Sequence, residues 1–306
     1  MKPDILVLGS VNMDLVFQTP RMPAPGETLM GESFHQIHGG KGANQAVAAA
    51  RMGGRVHLVA CVGDDDFGRR SLSSLAQDGI DTQFVRQVKA CTTGVAGILL
   101  DAHGENSIVL AAGANAHLDQ NDIDRAASLL TDAKILVCQL ETPIESVSYA
   151  IKLAHDAGVK VLLNPAPMQK LNDDLLALVD FLVLNETEAQ QLTGLAVDSQ
   201  AQAFEAGLAL RKRGVGVVII TLGSSGIVLV TENHRESLPA YRVEVVDTTA
   251  AGDTFVGSLA VALGEGLELN AACDLAQRAA ALAVTQLGAQ TSIPHRETVE
   301  RHFHKL

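Results

Sequence analysis

Short, unbroken apolar runs punctuate the chain at residues 5–8, 56–62, 135–140, 159–163, 181–184 and 217–222. Continuous apolarity over so few residues marks a strand buried on both faces, as in a parallel sheet. Between these runs, apolar positions recur with helical spacing at residues 43–52, 66–77, 119–130, 144–157, 201–213, 252–263, 270–285 and 297–302. Strand and helix alternate in cycles of roughly 30 residues, the period of βαβ units. The pattern predicts an α/β protein with a central, mostly parallel sheet and helices on both faces. A further strand is predicted at 242–246. The uncharged stretch 214–231 is interrupted by Gly214, Gly216, Gly223, Ser224, Ser225 and Gly226, and so reads as two strands and a turn, not a membrane span.

Two stretches depart from this rhythm. Residues 14–38, with Pro20, Pro23 and Pro25, are too long for an ordinary βα loop. Residues 93–111 read as a hairpin with strands 94–100 and 106–110, turning at His103-Gly104. The two insertions are expected to combine into a small β-sheet lid at one end of a single α/β domain spanning 1–306.

Composition narrows the possible functions. The 306 residues carry 23 Lys+Arg against 35 Asp+Glu, a net charge of −12 that disfavours nucleic acid as a partner. There is no Trp and aromatics reach only 3%, so stacking platforms for single strands are scarce. Cys61, Cys91, Cys138 and Cys273 form no C-x-x-C pair, which argues against a zinc site or disulfide framework and suits a reducing compartment. Met1-Lys2-Pro3-Asp4 runs directly into the first strand without a signal-peptide pattern. A cytoplasmic protein with no membrane partner is expected.

Candidate chemistry clusters at strand ends. Gly39-Gly40-Lys41-Gly42-Ala43-Asn44 precedes an Ala-rich helix, where glycines permit close backbone approach and free N–H groups can meet an anion. It is not a Walker A loop, because His35 and Gly42 stand where Gly and Ser/Thr are required. No G-x-G-x-x-G follows the first strand, which disfavours a dinucleotide-dependent oxidoreductase. Asp247-Thr248-Thr249-Ala250-Ala251-Gly252-Asp253 opens another helix, and its small residues leave successive N–H groups uncovered. Asp253 could complement the helix dipole, but a carboxylate beside an anion site points to a general base. Asn185-Glu186-Thr187-Glu188 could cap a helix or hold magnesium through water. Thr221-Leu222-Gly223-Ser224-Ser225-Gly226 could be a hairpin turn or a nucleotide contact at a strand end. Asn12 and Asp14, two apart in extended backbone, point the same way and can bind vicinal hydroxyls, with Glu141 joining from a neighbouring strand.

With these motifs assembled, the chain resembles the ribokinase family of carbohydrate kinases, the PfkB-like group. The match covers 9–14, Pro25-Gly26-Glu27-Thr28, 39–46, Asn164-Pro165-Ala166-Pro167, 185–188, 221–226 and 247–255, and runs over essentially the whole length. Ala250 departs from the glycine more common there. The resemblance implies ATP-dependent phosphorylation of D-ribose at O5, with 2-deoxyribose, another sugar or a nucleoside as alternative acceptors. It implies Asp253 as base and Ala250, Ala251 and Gly252 as an anion hole. Asn12, Asp14, Gly40, Lys41, Asn44 and Glu141 become sugar contacts. Asn185 and Glu188 are linked to Mg2+ and phosphate. Thr221, Gly223, Ser224, Gly226 and Gln277 become nucleotide contacts. A monovalent cation, K+, would be held by Asp247, Thr249, Ala283, Gln286, Gly288 and Ser292, mostly through backbone oxygens. The lid often forms a homodimer contact in this family. A nucleoside acceptor needs aromatic surface, and the insertions offer only Phe17 and Phe34. A non-catalytic sugar-binding protein would have been free to lose Asp253, which this chain keeps.

Overall fold

The computed structural model describes residues 2–303. The strands are β1 (Asp4–Leu8), β2 (Asn12–Gln18), β3 (Ser33–Gly39), β4 (Arg55–Gly63), β5 (Val85–Val88), β6 (Gly94–Leu100), β7 (Asn106–Ala111), β8 (Ile135–Cys138), β9 (Lys160–Leu163), β10 (Phe181–Asn185), β11 (Val217–Thr221), β12 (Ile227–Val230) and β13 (Arg235–Leu238). The helices are α1 (Lys41–Arg51), α2 (Asp66–Gln77), α3 (Gln120–Ala126), α4 (Ile144–Asp156), α5 (Asp173–Leu176), α6 (Glu186–Thr193), α7 (Gln200–Lys212), α8 (Ala251–Gly264), α9 (Leu269–Ala283) and α10 (Arg296–Phe303).

Nine strands form one sheet in the order β13-β12-β11-β10-β9-β8-β1-β4-β5. All neighbours are parallel except β11–β12 and β12–β13. Side chains alternate across this sheet, so each strand feeds two cores. Ile5, Val7, Ile135 and Val137 pack with α1, α8, α9 and α10 on one face. Leu6, Leu8, Leu136 and Cys138 pack with α3, α4 and α7 on the other. Burial on both faces is why these strands read as unbroken apolar runs.

The two insertions meet in a separate sheet ordered β3-β2-β6-β7. The outer pairs are antiparallel and the central β2–β6 pair is parallel. The turn between β1 and β2 is short, so the start of β2 stays at the carboxyl end of the large sheet. Asn12 there sits opposite both Gly39 and Gly94.

Several elements differ from the pattern-based reading. Residues 242–246 form no strand, and β13 takes the sheet edge instead. Val245 and Val246 are left 59% exposed, and the segment is tied to the end of α9 where Val246 N–H and Asp247 N–H donate to Val284 O at 2.8 and 3.2 Å. The helix expected at 119–130 breaks at Ala126 and continues as a 3-10 turn, Ala127–Thr131. β5 and β13 carry too few apolar residues to be seen as runs. Among the described residues, no helix is long and apolar enough to cross a membrane.

Close packing of α1 on α8 brings the two glycine-containing motifs together. A Cβ at Gly257 would lie 2.4 Å from Gln45 O and 2.6 Å from Ala48 Cβ. A Cβ at Gly42 would lie 2.4 Å from Ser10 N. These contacts need bare backbone. Gly257→Ala is therefore expected to lower the unfolding free energy by about 1–3 kcal/mol, the usual cost of overpacking, as read by urea denaturation.

Candidate active site

The site lies where the start of β2, the N-terminus of α1 and the N-terminus of α8 converge at the carboxyl ends of the parallel strands. Helix geometry leaves the first N–H groups of α8 without intrahelical acceptors. Nothing lies within 4 Å of the position a Cβ would take at Gly252, so this N-terminus is open. Ala250, the residue before it, is left-handed with φ 59° and ψ 11°. Ala251 N–H closes the preceding turn on Thr248 O at 3.2 Å, so the open N–H at this end begins at Gly252; the left-handed backbone strains a residue bearing a Cβ.

Asp253 is buried in the first turn of α8, 7% exposed. Asn44 Nδ2 donates to its Oδ2 at 2.9 Å, and Gln45 Nε2 donates to its Oδ1 at 2.9 Å. Lys41 opens α1 with its ammonium near this carboxylate. Asp253 is the largest influence raising the Lys41 ammonium above its ordinary value; burial opposes the rise, while Glu141, Glu188 and Asp14 add to it. Glu141 is fixed at the N-terminus of α1, where Ser10 Oγ and Lys41 N–H both donate to Oε2, at 2.5 and 3.0 Å. An acid at this end complements the helix dipole.

Asp14 is buried on β2, its carboxylate close against Gly39. Burial, reinforced by the charges of Glu141 and Asp253 and partly offset by Lys41, pushes its carboxyl up to about 7. Asn12 is also buried, and its Oδ1 accepts from Asn115 Nδ2 at 2.7 Å. Asn115 comes from the 3-10 turn Gly113–His117 and also accepts from Val11 N–H at 2.9 Å. Asn12, Asn115 and Glu141 line a cavity of about 320 Å3 with Ala112, Leu140 and Pro143 among its apolar walls.

Two further cavities adjoin each other. One of about 210 Å3 is lined by Lys41, Asn164, Asn185, Glu188, Ala250 and Asp253. The other, about 550 Å3, is lined by Gly223, Ser224, Tyr241, Phe255, Ala251 and Gln277. Thr221, Thr248 and Gly252 line both. An elongated ligand with an anionic end could thus run from Gln277 to the N-terminus of α8.

Asn185 and Glu188 form a capping box on α6, Asn185 Oδ1 accepting from Glu188 N–H at 2.8 Å and Glu188 Oε2 from Asn185 N–H at 2.9 Å. The capping alternative is thus realised, while both residues still line the smaller cavity. Burial raises the Glu188 carboxyl, with the Asn185 bond and Lys41 opposing and Asp253 adding. Gly226 does not line the large cavity. It closes the turn after β11, where a Cβ would meet Leu238 O at 2.0 Å.

Asp247 stitches its loop to the segment after α9. Its carboxylate accepts from Thr249 N–H and Oγ1 at 2.9 and 2.6 Å, and from Gly288 N–H at 2.8 Å. Burial opposes its ionisation, but these hydrogen bonds overcome it and hold the carboxyl below the usual range. Ala283 O accepts from Gln286 N–H at 3.2 Å, and Ser292 is buried nearby with its hydroxyl donating to Ala289 O at 2.8 Å. Among the described residues, no group of three His, Cys, Asp or Glu side chains could hold a metal ion by itself.

Sequence reasoning missed Ser10, Gln45, Asn115, Gln139 and Gln290. Gln45 directly follows the glycine motif, which was a usable signal. The others are single polar residues whose partners are distant in sequence.

A doubly covered sheet, a buried acid at a helix N-terminus and adjoining cavities suit phosphoryl transfer. Residues 2–296 match the model of the pfkB family of carbohydrate kinases, and the chain belongs to that family. It is a sugar kinase. It is similar to the ribokinase of Haemophilus influenzae, 44% identical over 301 residues covering 98% of both chains. It is also similar to the deoxyribokinase of Salmonella typhi, 41% identical with 98% of both chains covered. Among solved structures, ribokinase of Arabidopsis thaliana complexed with ribose and ATP matches with a TM-score of 0.90 at 33% identity, covering 98% of each chain.

Two outcomes follow from the geometry. Ala250→Gly removes a Cβ from left-handed backbone and is expected to stabilise the protein by about 1 kcal/mol in urea denaturation. Asp14 has a raised native carboxyl, so the folded protein holds a proton that the unfolded chain releases. Its burial therefore costs nothing below about pH 4, and the penalty grows until the pH passes about 7. Asp14→Asn should raise the unfolding free energy by about 1–3 kcal/mol at pH 8 and far less at pH 4.5. An equal effect at both values would contradict the assigned burial.

Proposed function

We propose that the protein transfers the γ-phosphoryl group of ATP to O5 of D-ribose, releasing ADP and ribose 5-phosphate. The observation that carries this reading is Asp253, buried at the open N-terminus of α8 between two amide donors and lining the cavity that joins the larger one. Asp253 takes the proton from the O5 hydroxyl as that oxygen bonds to the γ-phosphorus and the bond to ADP breaks. The N–H groups around Gly252, beside the left-handed Ala250, stabilise charge on the transferring group. Lys41 adds a positive charge beside it. Thr221, Gly223, Ser224 and Gln277 hold the nucleotide, and Gly226 shapes the turn. Asn12, Asp14, Gly40, Lys41, Asn44 and Glu141 bind the sugar.

Mg2+, when bound, neutralises charge on the phosphates of the nucleotide. Glu188 and Asn185 suit this ion through water, because hard oxygen atoms line the small cavity without forming a closed cage. K+ fits the loop pair that Asp247 and Gly288 join, with Thr249, Ala283, Gln286 and Ser292 supplying oxygens. The small sheet acts as a lid that excludes water. Phe17, Phe34, Ile108 and Val109 are 42–74% exposed on that sheet and support a homodimer through it. The free thiols of Cys61, Cys91, Cys138 and Cys273 support a cytoplasmic location.

A 2-deoxyribose acceptor is the second reading, favoured by the 41% identity to the deoxyribokinase. ADP release from Mg-ATP should be measured with ribose, 2-deoxyribose, fructose, ribitol and adenosine, with and without K+. The expected result is the highest kcat/KM for ribose, increased by K+. A higher value for 2-deoxyribose would replace the acceptor while keeping the site. Asp253→Asn is expected to lower kcat by roughly 100-fold or more with both KM values little changed; unchanged kcat would remove Asp253 from its role.

A further inference from the structure

A chain of buried amides runs from the centre of the large sheet to Asp253. Asn164, at the end of β9, donates from Nδ2 to Val183 O at 2.9 Å. Its Oδ1 accepts from Gln45 Nε2 at 3.1 Å. The same Gln45 nitrogen donates to Asp253 Oδ1 at 2.9 Å, and Gln45 Oε1 accepts from Gln139 Nε2 at 2.6 Å. Gln45 and Gln139 are both fully buried at 0% exposure. Room for Gln139 exists only because residue 9 is glycine, since a Cβ there would lie 2.1 Å from Gln139 Oε1.

The direction of this chain is dictated at both ends. A backbone carbonyl can only accept, so Asn164 must present its NH2 to Val183. That leaves the Asn164 oxygen facing Gln45, which must therefore present its own NH2. The second hydrogen of that NH2 meets the Asp253 carboxylate, also an acceptor when ionised. Gln45 cannot flip without breaking both bonds and placing oxygen against oxygen. Its two hydrogens are divided between a fixed sheet residue and the acid.

We infer that Gln45, held by Asn164 and Gln139, is a positioning residue that fixes the plane of the Asp253 carboxylate for proton abstraction from the acceptor hydroxyl. This rests on Asp253 being the base. Asn44 holds the other carboxylate oxygen, but it is also a sugar contact in the proposed function. Gln45 is fully buried and free of that second duty, so it can keep one carboxylate oxygen in place throughout turnover. The reaction requires alignment, and small errors in the placement of a reacting group cost large factors in rate.

The test compares Gln45→Met and Gln45→Glu with the unsubstituted protein and with Asp253→Asn. Gln45→Glu keeps the side-chain shape and the acceptor for Gln139 but replaces the donor facing Asp253 with oxygen. It carries the test should Gln45→Met fail to fold, with folding read by circular dichroism melts. The expected result is a kcat lower by roughly 10- to 100-fold, with KM for ribose and for ATP within about threefold of normal. A merely structural role would instead move both KM values or the melting temperature and spare kcat. Retained kcat in a folded Gln45→Glu protein, with Asp253→Asn inactive, would overturn the inference and leave the base reading intact. Retained turnover in Asp253→Asn would overturn the base reading, and the inference with it.

Discussion

The approach of α1 to α8 is the constraint on which the site depends. Each helix begins with a motif that cannot work alone: α1 brings Lys41, Asn44 and Gln45, and α8 brings its open N-terminus and Asp253. Gly257 lets α8 lie against the backbone of Gln45 and the side chain of Ala48, while Gly42 seats the start of α1 on the link between β1 and β2. With both approaches made, the amides of Asn44 and Gln45 reach the Asp253 carboxylate from one helix.

That packing concentrates charge. Asp14, Glu141, Glu188 and Asp253 gather around Lys41, so acids outnumber the base in a partly closed space. The structure answers each acid differently. Glu141 is tied down by Ser10 and the α1 N-terminus, Glu188 by its capping box, and Asp253 by two amides. Among the described residues none donates to the Asp14 carboxylate, and burial pushes it towards its protonated form. A buried polar group left without a partner lowers stability, and such groups gather at sites built to meet a ligand.

Much of the architecture was legible before the fold was known. Strands buried on both faces are apolar along most of their length, so β1, β4, β8, β9, β10 and β11 announced themselves as apolar runs. The paired insertions were visible because they broke the βα rhythm, and the hairpin of β6 and β7 lies where its turn residues placed it. Edge strands were hidden for the converse reason. β5 and β13 have one open side, need little apolarity and leave no run. Residues 242–246 misled in the opposite sense: they alternate like a strand but find no sheet edge, because β13 already occupies it.

The sequence by itself determined which residue types stand at the strand ends and helix starts: the glycines at 39–42, the small residues before Asp253, and the Asn12 and Asp14 pair. These are local requirements, set by backbone access and helix termini, and local requirements leave local patterns. Only the tertiary structure decided which of them meet. It showed Asn185 and Glu188 closing a cap, Gly226 serving its turn and not the cavity wall, and Asn115, Gln45, Gln139 and Asn164 completing hydrogen bonds to partners 19 to 208 positions away. A single buried amide has no periodicity and no characteristic neighbour. Its role is defined by the donor or acceptor that the fold sets opposite it.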